Sequence, residues 1–279
     1  MNDLVLVTGA TGKTGRNLVS LLEAADRPYR AASRGGEPGF DWSRPESWSA
    51  ALEGVASVYL VAPIGLEDGP ARLEAFLRAA ISQGARRFVL LSMASLPAGG
   101  PGLGQTHQWL MDNTDDWAVL RPAAFMENLS EGPFAASIRA EDTIYSNTGE
   151  GRVAFIGAAD IARAAFAALT APVPLNTDFT LTGDEAISYD RVAELISQAC
   201  GRQISHTHIS TATMAQRFVA RGLPEGQAMF LAMAYETIAG GWQDATADGF
   251  HALTHATPMS FQAFAEANAG AWKPSGGMA

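Results

Sequence analysis

The chain has 279 residues, 47% hydrophobic and 17% charged, so it can bury a substantial core and is neither a stapled mini-protein nor a disordered chain. Its formal charge is -10 at pH 7 with no compensating Arg/Lys cluster, which removes the cationic field that nucleic-acid binding needs. A lone cysteine, Cys200, excludes an intramolecular disulfide. The N-terminus has no secretory pattern and no apolar run nears the roughly 20 residues that cross a bilayer, so a soluble, cytoplasmic chain without a membrane partner is expected.

In chain order, residues 3–8 form a mainly apolar run ended by a glycine, and Leu18, Val19, Leu21 and Leu22 then recur at helical spacing. This predicts a strand over 3–8 and a helix over 13–25. The unit repeats: strands over 29–33, 57–62, 86–92 and 117–121 alternate with helices over 45–52, 69–83 and 106–113. Strict β-α alternation predicts an α/β fold, a doubly wound parallel sheet of Rossmann type. Residues 97–104, rich in Pro and Gly, are expected to be a flexible loop, and the tail after Trp272 is of low complexity.

Beyond residue 150 the pattern predicts strands over 152–156 and 178–182, and a helix over 160–169 capped by Asp160. Three further helices have clear punctuation: Ser188 to Gly201, Ser210 to Gly222, and Pro224 to Gly240-Gly241. The last two carry Met214, Phe218, Met229, Phe230 and Met233, for which core packing is the simplest reading and a substrate pocket or homodimer interface the functional one.

The first strand-to-helix junction reads Thr8-Gly9-Ala10-Thr11-Gly12-Lys13-Thr14-Gly15. Gly9 suits a tight exit from the strand, Gly12 lets backbone approach a pyrophosphate, and Gly15 lets the helix pack closely on the sheet. The helix N-terminus then presents N–H groups to an anion, so Gly9, Thr11, Gly12, Lys13, Thr14 and Gly15 are the expected dinucleotide contacts. A Walker A loop is excluded because the position five before Gly12 is Val7. The second strand ends in Ala32-Ser33-Arg34-Gly35, without the acid that selects a ribose 2'-hydroxyl; Ser33 and Arg34, with Lys13, favour the phosphate of NADPH. Residues 1–150 are therefore expected to be the NADP(H)-binding core. Residues 151–279 would complete the sheet and bind substrate as a smaller, mainly helical part of one compact unit.

Of 19 basic residues only Lys13 and Lys273 are lysines, and the residues four before them are Gly9 and Ala269, so the chain contains no Tyr-x-x-x-Lys pair. Ketone reduction by a lysine-activated phenol is thereby excluded, whereas hydride transfer to an already activated acceptor needs little acid from the protein.

The glycine loop, Ala32-Ser33-Arg34, Phe40-Asp41-Trp42, Leu120-Arg121-Pro122 with Phe125-Met126-Glu127-Asn128, Asp160-Ile161-Ala162 and Leu181-Thr182-Gly183 together resemble the NmrA-like group of atypical short-chain dehydrogenases/reductases (SDRs), over roughly residues 3–270. Within that group the stretch from Arg121 to Asn128 and Phe40-Asp41-Trp42 look like the ergot-alkaloid iminium reductases and the type 2 quinone oxidoreductases. The resemblance implies an NADPH-dependent oxidoreductase, an imine or quinone reductase acting on a small, flat, conjugated acceptor. The group also contains NADP(H) sensors that do not turn over, and a non-redox isomerase or cyclase is a third reading. Some relatives carry a lysine after the strand that ends at Ser92; this chain has none there.

The strand ends supply the remaining candidates, because carboxyl ends of parallel strands face the cofactor. Ala62, Pro63, Ser92 and Pro122 are expected against the dinucleotide, with Met93, Phe125, Asn128, Met229 and Met233 against substrate. Ser92 and His107 are the catalytic candidates, His107 as the one near-neutral titrating group in its helix region. Asn128 also reads as a helix cap. His206 and His208 share one face of a strand and His251 and His255 lie four apart, but neither pair has a third ligand near it in sequence, so no metal is expected.

Overall fold

A computed structural model describes residues 3–63 and 68–274; residues 275–279 of the low-complexity tail lie outside them. The chain forms two compact units that are interleaved along the sequence rather than divided at residue 150: Met1–Pro122, Ala158–Leu181 and Asp248–Ala256 form the first, and Ala123–Gly157, Thr182–Ala247 and Thr257–Ala279 the second.

The first unit holds β1 (Val5–Thr8), α1 (Lys13–Ala24), β2 (Tyr29–Ala32), α2 (Trp48–Leu52), β3 (Ser57–Leu60), α3 (Gly69–Ser82), β4 (Arg87–Leu91), α4 (Leu103–Asn113) and β5 (Trp117–Pro122), with α7 (Ala158–Thr170), β8 (Thr177–Leu181) and α11 (Gly249–Thr254) returning to it. Its six-stranded sheet has the order β2-β1-β3-β4-β5-β8 and every pairing is parallel. Val5, Leu6, Val7, Val58, Leu60, Phe88, Val89 and Leu90 are buried, as strands covered on both faces require. Direction reverses beside β1, which has β2 on one side and β3 on the other, and such a switch point opens a crevice at the strands' carboxyl ends.

Helix α7 packs through Ala162, Ala165 and neighbouring small residues, all buried, and α1 lies against it. It begins at Ala158, two residues before the expected cap. Asp160 is therefore not an N-cap: it sits buried in the first turn, where the helix dipole favours an anion, and accepts from Arg163 Nη1 at 2.9 Å. Phe40, Trp42, Trp48 and Phe76 meet edge-to-face at centroid distances of 5.0–5.7 Å around Phe76, so the Phe40-Asp41-Trp42 stretch serves the core of this unit. Residues 97–104 are not a loose loop: Gly99 N–H donates to Gly104 O at 2.8 Å, and Gly104 is buried in the first turn of α4.

The second unit holds α5 (Glu127–Ser130), α6 (Gly132–Glu141), β6 (Thr143–Ser146), β7 (Arg152–Val153), β9 (Ile187–Ser188), α8 (Tyr189–Cys200), β10 (Ser205–His208), α9 (Thr211–Val219), α10 (Glu225–Ala239) and α12 (Phe261–Ala267). Two small sheets, β10-β6 parallel and β7-β9 antiparallel, accompany the helices. Ser188 and Ser210 cap α8 and α9 as expected, each accepting an N–H at 3.2 Å, and Gly201 closes α8 at φ +69°. The strand expected over 152–156 is cut to two residues because Ile156 instead bridges to Phe125. Asn128 is the second residue of α5, behind the capping position of Met126, so it is not a cap. Trp272 is fully buried and donates from its indole N–H to Leu129 O at 2.7 Å.

Candidate functional site

The glycine loop leaves β1 through Gly9 at φ +63°. Gly12 N–H folds back to Gly9 O at 2.8 Å and Gly12 occupies the N-cap position of α1 with extended backbone. No side chain caps α1 and its first turn contains no acid, leaving the N–H groups there oriented as an anion site requires. A Cβ on Gly15 would stand 2.1 Å from Gly9 O, so the close approach of α1 to the turn exists only for glycine at that position. Thr11 and Gly12 are exposed. Thr14 is buried and its hydroxyl accepts from Tyr59 OH at 3.0 Å, a bond that pins α1 to β3 and commits the side chain to the fold; its backbone N–H is what remains for a ligand. Burial raises the Tyr59 phenol, which stays neutral.

At the end of β2, Ser33 O accepts from Gly36 N–H at 3.2 Å and Phe40 N–H at 2.9 Å, folding the loop so that Arg34 is exposed. Asp41, a residue the sequence reading did not assign to the site, accepts from the Ser43 hydroxyl and N–H at 2.7 and 2.8 Å, which holds its carboxyl below the ordinary value; the Arg34 charge lowers it further. Arg34 thus lies within the field of a carboxylate as well as of any phosphate. Ala62 and Pro63 follow β3 half-buried, and Thr8 ties that strand to β1 by accepting from Val61 N–H at 2.7 Å.

Ser92 follows β4, buried, with its N–H on Leu120 O at 2.8 Å. Its Oγ has no hydrogen-bond partner. The same is true of Thr106 Oγ1 and His107 Nδ1 on α4. Trp109 Nε1, also on α4, is a fourth; buried polar atoms are ordinarily satisfied, so four orphans on one strand end and the helix that follows it are a ligand-site signal. Thr106 was missed because a threonine inside a helix carries no sequence signature. Arg121 donates to Ala94 O at 2.7 Å and pairs with Asp178 at 2.5 Å, fixing the segment after β4 beside β5 and β8. Pro122 ends β5 buried, and Met93 is exposed.

His107 is also buried, its ring 5.6 Å from that of Trp117. Desolvation lowers its pKa, with Asp178 opposing and Arg121 assisting, so at neutral pH it is a neutral imidazole. That makes His107 a poor proton donor and corrects the expectation of a near-neutral acid. A cavity of about 630 Å³ lies elsewhere, at the amino ends of β1, β3 and β4, where it is lined by Val5, Ser57 and Arg87. Ligands of parallel α/β sheets bind at the other end, and Arg87 is already committed to Asp116 at 2.9 Å.

No protein-family model matches the chain. It is 37% identical over 277 residues to the uncharacterized oxidoreductase YesF of Bacillus subtilis, covering 96% of both chains. It is 36% identical over 285 residues to the agroclavine dehydrogenase of Claviceps fusiformis, covering 96% of this chain and 98% of that one. The chain belongs to the NmrA-like group of atypical SDRs. These relatives are named oxidoreductase and dehydrogenase, and the chain is an oxidoreductase with an NAD(P)-binding fold. Solved structures share the fold at 20% identity: the Escherichia coli quinone oxidoreductase QOR2 complexed with NADPH superposes with a TM-score of 0.76 over 94% of this chain and 99% of that one. A Citrobacter triphenylmethane reductase complexed with NADP(H) gives 0.76 over 95% and 99%.

The residues of this atypical SDR fit a dinucleotide: a glycine cradle that a Cβ would fill, an uncapped helix N-terminus, and an orphaned hydroxyl at the end of β4. In the second unit, Phe125 and Asn128 are half-buried on the segment that enters α5. The expectation of ordinary core packing for the Met- and Phe-rich helices divides in two. Met214 and Phe218 are buried on α9, whereas Met229, Phe230 and Met233 of α10 are 42%, 74% and 56% exposed. No helix among the described residues is long and apolar enough to cross a membrane.

Proposed function

We propose that this enzyme is an NADPH-dependent reductase that delivers hydride to a small, conjugated electrophile, a cyclic imine/iminium or a quinone. NADPH, when bound, supplies the hydride. Gly9, Thr11, Gly12, Lys13, Thr14 and Gly15 would hold the pyrophosphate through backbone N–H groups and the end of α1. Ser33 and Arg34 would take the 2'-phosphate, and Ala62, Pro63, Ser92 and Pro122 would line the dinucleotide along the strand ends. Met93, Phe125, Asn128, Met229 and Met233 are the proposed acceptor contacts.

The observation that carries this reading is the chemistry around the end of β4. The chain has no Tyr-x-x-x-Lys pair, and the one titratable group on α4 near neutrality, His107, is neutral and buried. Such a site orients but does not protonate. An iminium carbon accepts hydride to give a neutral amine without a proton, and a quinone that has taken hydride is a hydroquinone anion that needs one proton, which water can supply, so both acceptor classes suit it. Ser92 Oγ would direct a hydrogen bond at the nicotinamide or the acceptor, and His107 would shape the wall behind it. The agroclavine dehydrogenase likeness supports the reductase reading.

The test is NADPH oxidation, followed by absorbance, against cyclic imines, quinones and unactivated ketones, with NADPH affinity measured in parallel. Turnover on imines or quinones and none on simple ketones is expected. Tight NADPH binding without oxidation of any acceptor would refute the reading and leave a dinucleotide sensor; turnover without net NADPH consumption would mark an isomerase or cyclase.

A further inference from the structure

The sequence offers His206 and His208 as a pair without a third ligand; the fold of the second unit brings one to them. β10 pairs in parallel with β6, setting His206 opposite Ile144 and His208 opposite Ser146, and alternation along the strand puts both histidines on one face. Asp190, in the first turn of α8, meets that face: its Oδ1 is 3.1 Å from His206 Nδ1 and its Oδ2 4.0 Å from His208 Nε2. One ligand atom from each of the three residues falls within 4.8 Å of the other two. Tetrahedral zinc with bonds near 2.0–2.1 Å holds its ligand atoms roughly 3.3 Å apart, so rotation of the two half-exposed side chains, Asp190 and His208, closes the set.

We infer that Asp190, His206 and His208 form a binding site for one borderline divalent cation of the Zn²⁺ type, with water at the fourth position. The support behind the ligands is what separates this cluster from a chance surface group. His206 has a fully buried side chain, and its Nε2 lies 2.8 Å from Ser146 Oγ, which is itself 2.7 Å from Thr148 Oγ1 in a buried network. In the neutral tautomer that donates Nε2–H to Ser146 Oγ, the Nδ1 lone pair is the metal ligand and faces the Asp190 side. Metal-bound histidines are held in this way by a hydrogen bond from the other ring nitrogen. Glu150 adds negative potential at His206. Two imidazoles and one carboxylate select Zn²⁺ over Mg²⁺ or Ca²⁺, which take all-oxygen sites. All of these residues belong to the second unit.

The test is calorimetric titration of ZnSO₄ into the untagged, chelator-treated full chain, with melting temperature recorded with and without the metal. One Zn²⁺ per chain with a Kd of about 10 µM or tighter is expected, together with a rise in melting temperature. His208→Ala and Asp190→Asn alter the two half-exposed ligands and spare buried His206; each should weaken binding by about tenfold or more, roughly 1.4 kcal/mol, and abolish the thermal shift. His251→Ala removes half of the other histidine pair and should leave affinity unchanged. Absence of binding at 100-fold higher Zn²⁺, about 1 mM, would overturn the inference. So would wild-type affinity in both ligand variants, or a loss of binding confined to His251→Ala.

Discussion

Gly15→Ala tests the physical argument on which the dinucleotide cradle rests. The new Cβ would lie 2.1 Å from Gly9 O and 2.8 Å from Gly9 C and Ala10 Cα, all backbone atoms that cannot rotate away. Separation to ordinary contact requires α1 or the turn to move by about 1 Å, and a close-packed interior charges about 1–3 kcal/mol for such overpacking. Movement of Gly9 O also breaks its 2.8 Å bond from Gly12 N–H, a further ~0.5–1.5 kcal/mol. Against this, alanine gains about 0.5–1 kcal/mol over glycine inside a helix. The balance is a loss of about 0.5–4 kcal/mol, read as a lower urea midpoint at unchanged slope. NADPH affinity should fall by about tenfold or more as the N–H groups lose their alignment. Gly226→Ala is the matched control: it lies in α10 with nothing within 4 Å of its Cβ, and should be neutral or stabilising by up to about 1 kcal/mol. Wild-type stability and NADPH affinity in Gly15→Ala would refute the close-approach argument.

Three further outcomes are expected. Arg34→Glu should weaken NADPH binding by roughly 10–100-fold, the worth of a charge-assisted hydrogen bond, and NADH binding far less; equal loss for both cofactors in competitive titrations would remove the 2'-phosphate assignment. Ser92→Ala should reduce kcat/KM by about 5–30-fold while leaving the urea midpoint unchanged or slightly higher, because its Oγ has no partner within the fold; a stability loss with normal kinetics would make it structural. Burial lowers the His107 pKa from 6.5, so the unfolded chain takes up the proton first. The stability His107 contributes is therefore fully present above pH 6.5 and declines as pH falls through its lower folded value. His107→Gln should flatten that part of a denaturation series measured from pH 7.5 to 5, and an unchanged slope would contradict the burial of a neutral ring.

Much of the first unit was legible because its signals are local. β1, α1, β2, β3, α3, β4 and β5 fall within a few residues of their expected places, since each is a short apolar or helix-periodic run between glycines or polar turns. The site was legible to the same degree at the glycine loop, where each glycine answers to a backbone constraint. α5, α6 and β6 were not foreseen: Thr-Ile-Tyr-Ser carries little strand signal, and it becomes a strand because it pairs with β10 across about 60 intervening residues.

The sequence by itself determined the α/β alternation, the glycine turn between β1 and α1, the caps at Ser188 and Ser210, and the absence of a Tyr-x-x-x-Lys acid, all properties of neighbouring residues or of simple counts. Tertiary structure decided what depends on burial and on meeting across the chain. It started α7 at Ala158 and turned Asp160 from a cap into a buried partner of Arg163. It sent Met214 inward and Met233 outward, and it made His107 a neutral ring. It also carried Asp190 to His206 and His208, because the packing of α8 on β10, rather than any spacing in the sequence, sets which side chains share a surface.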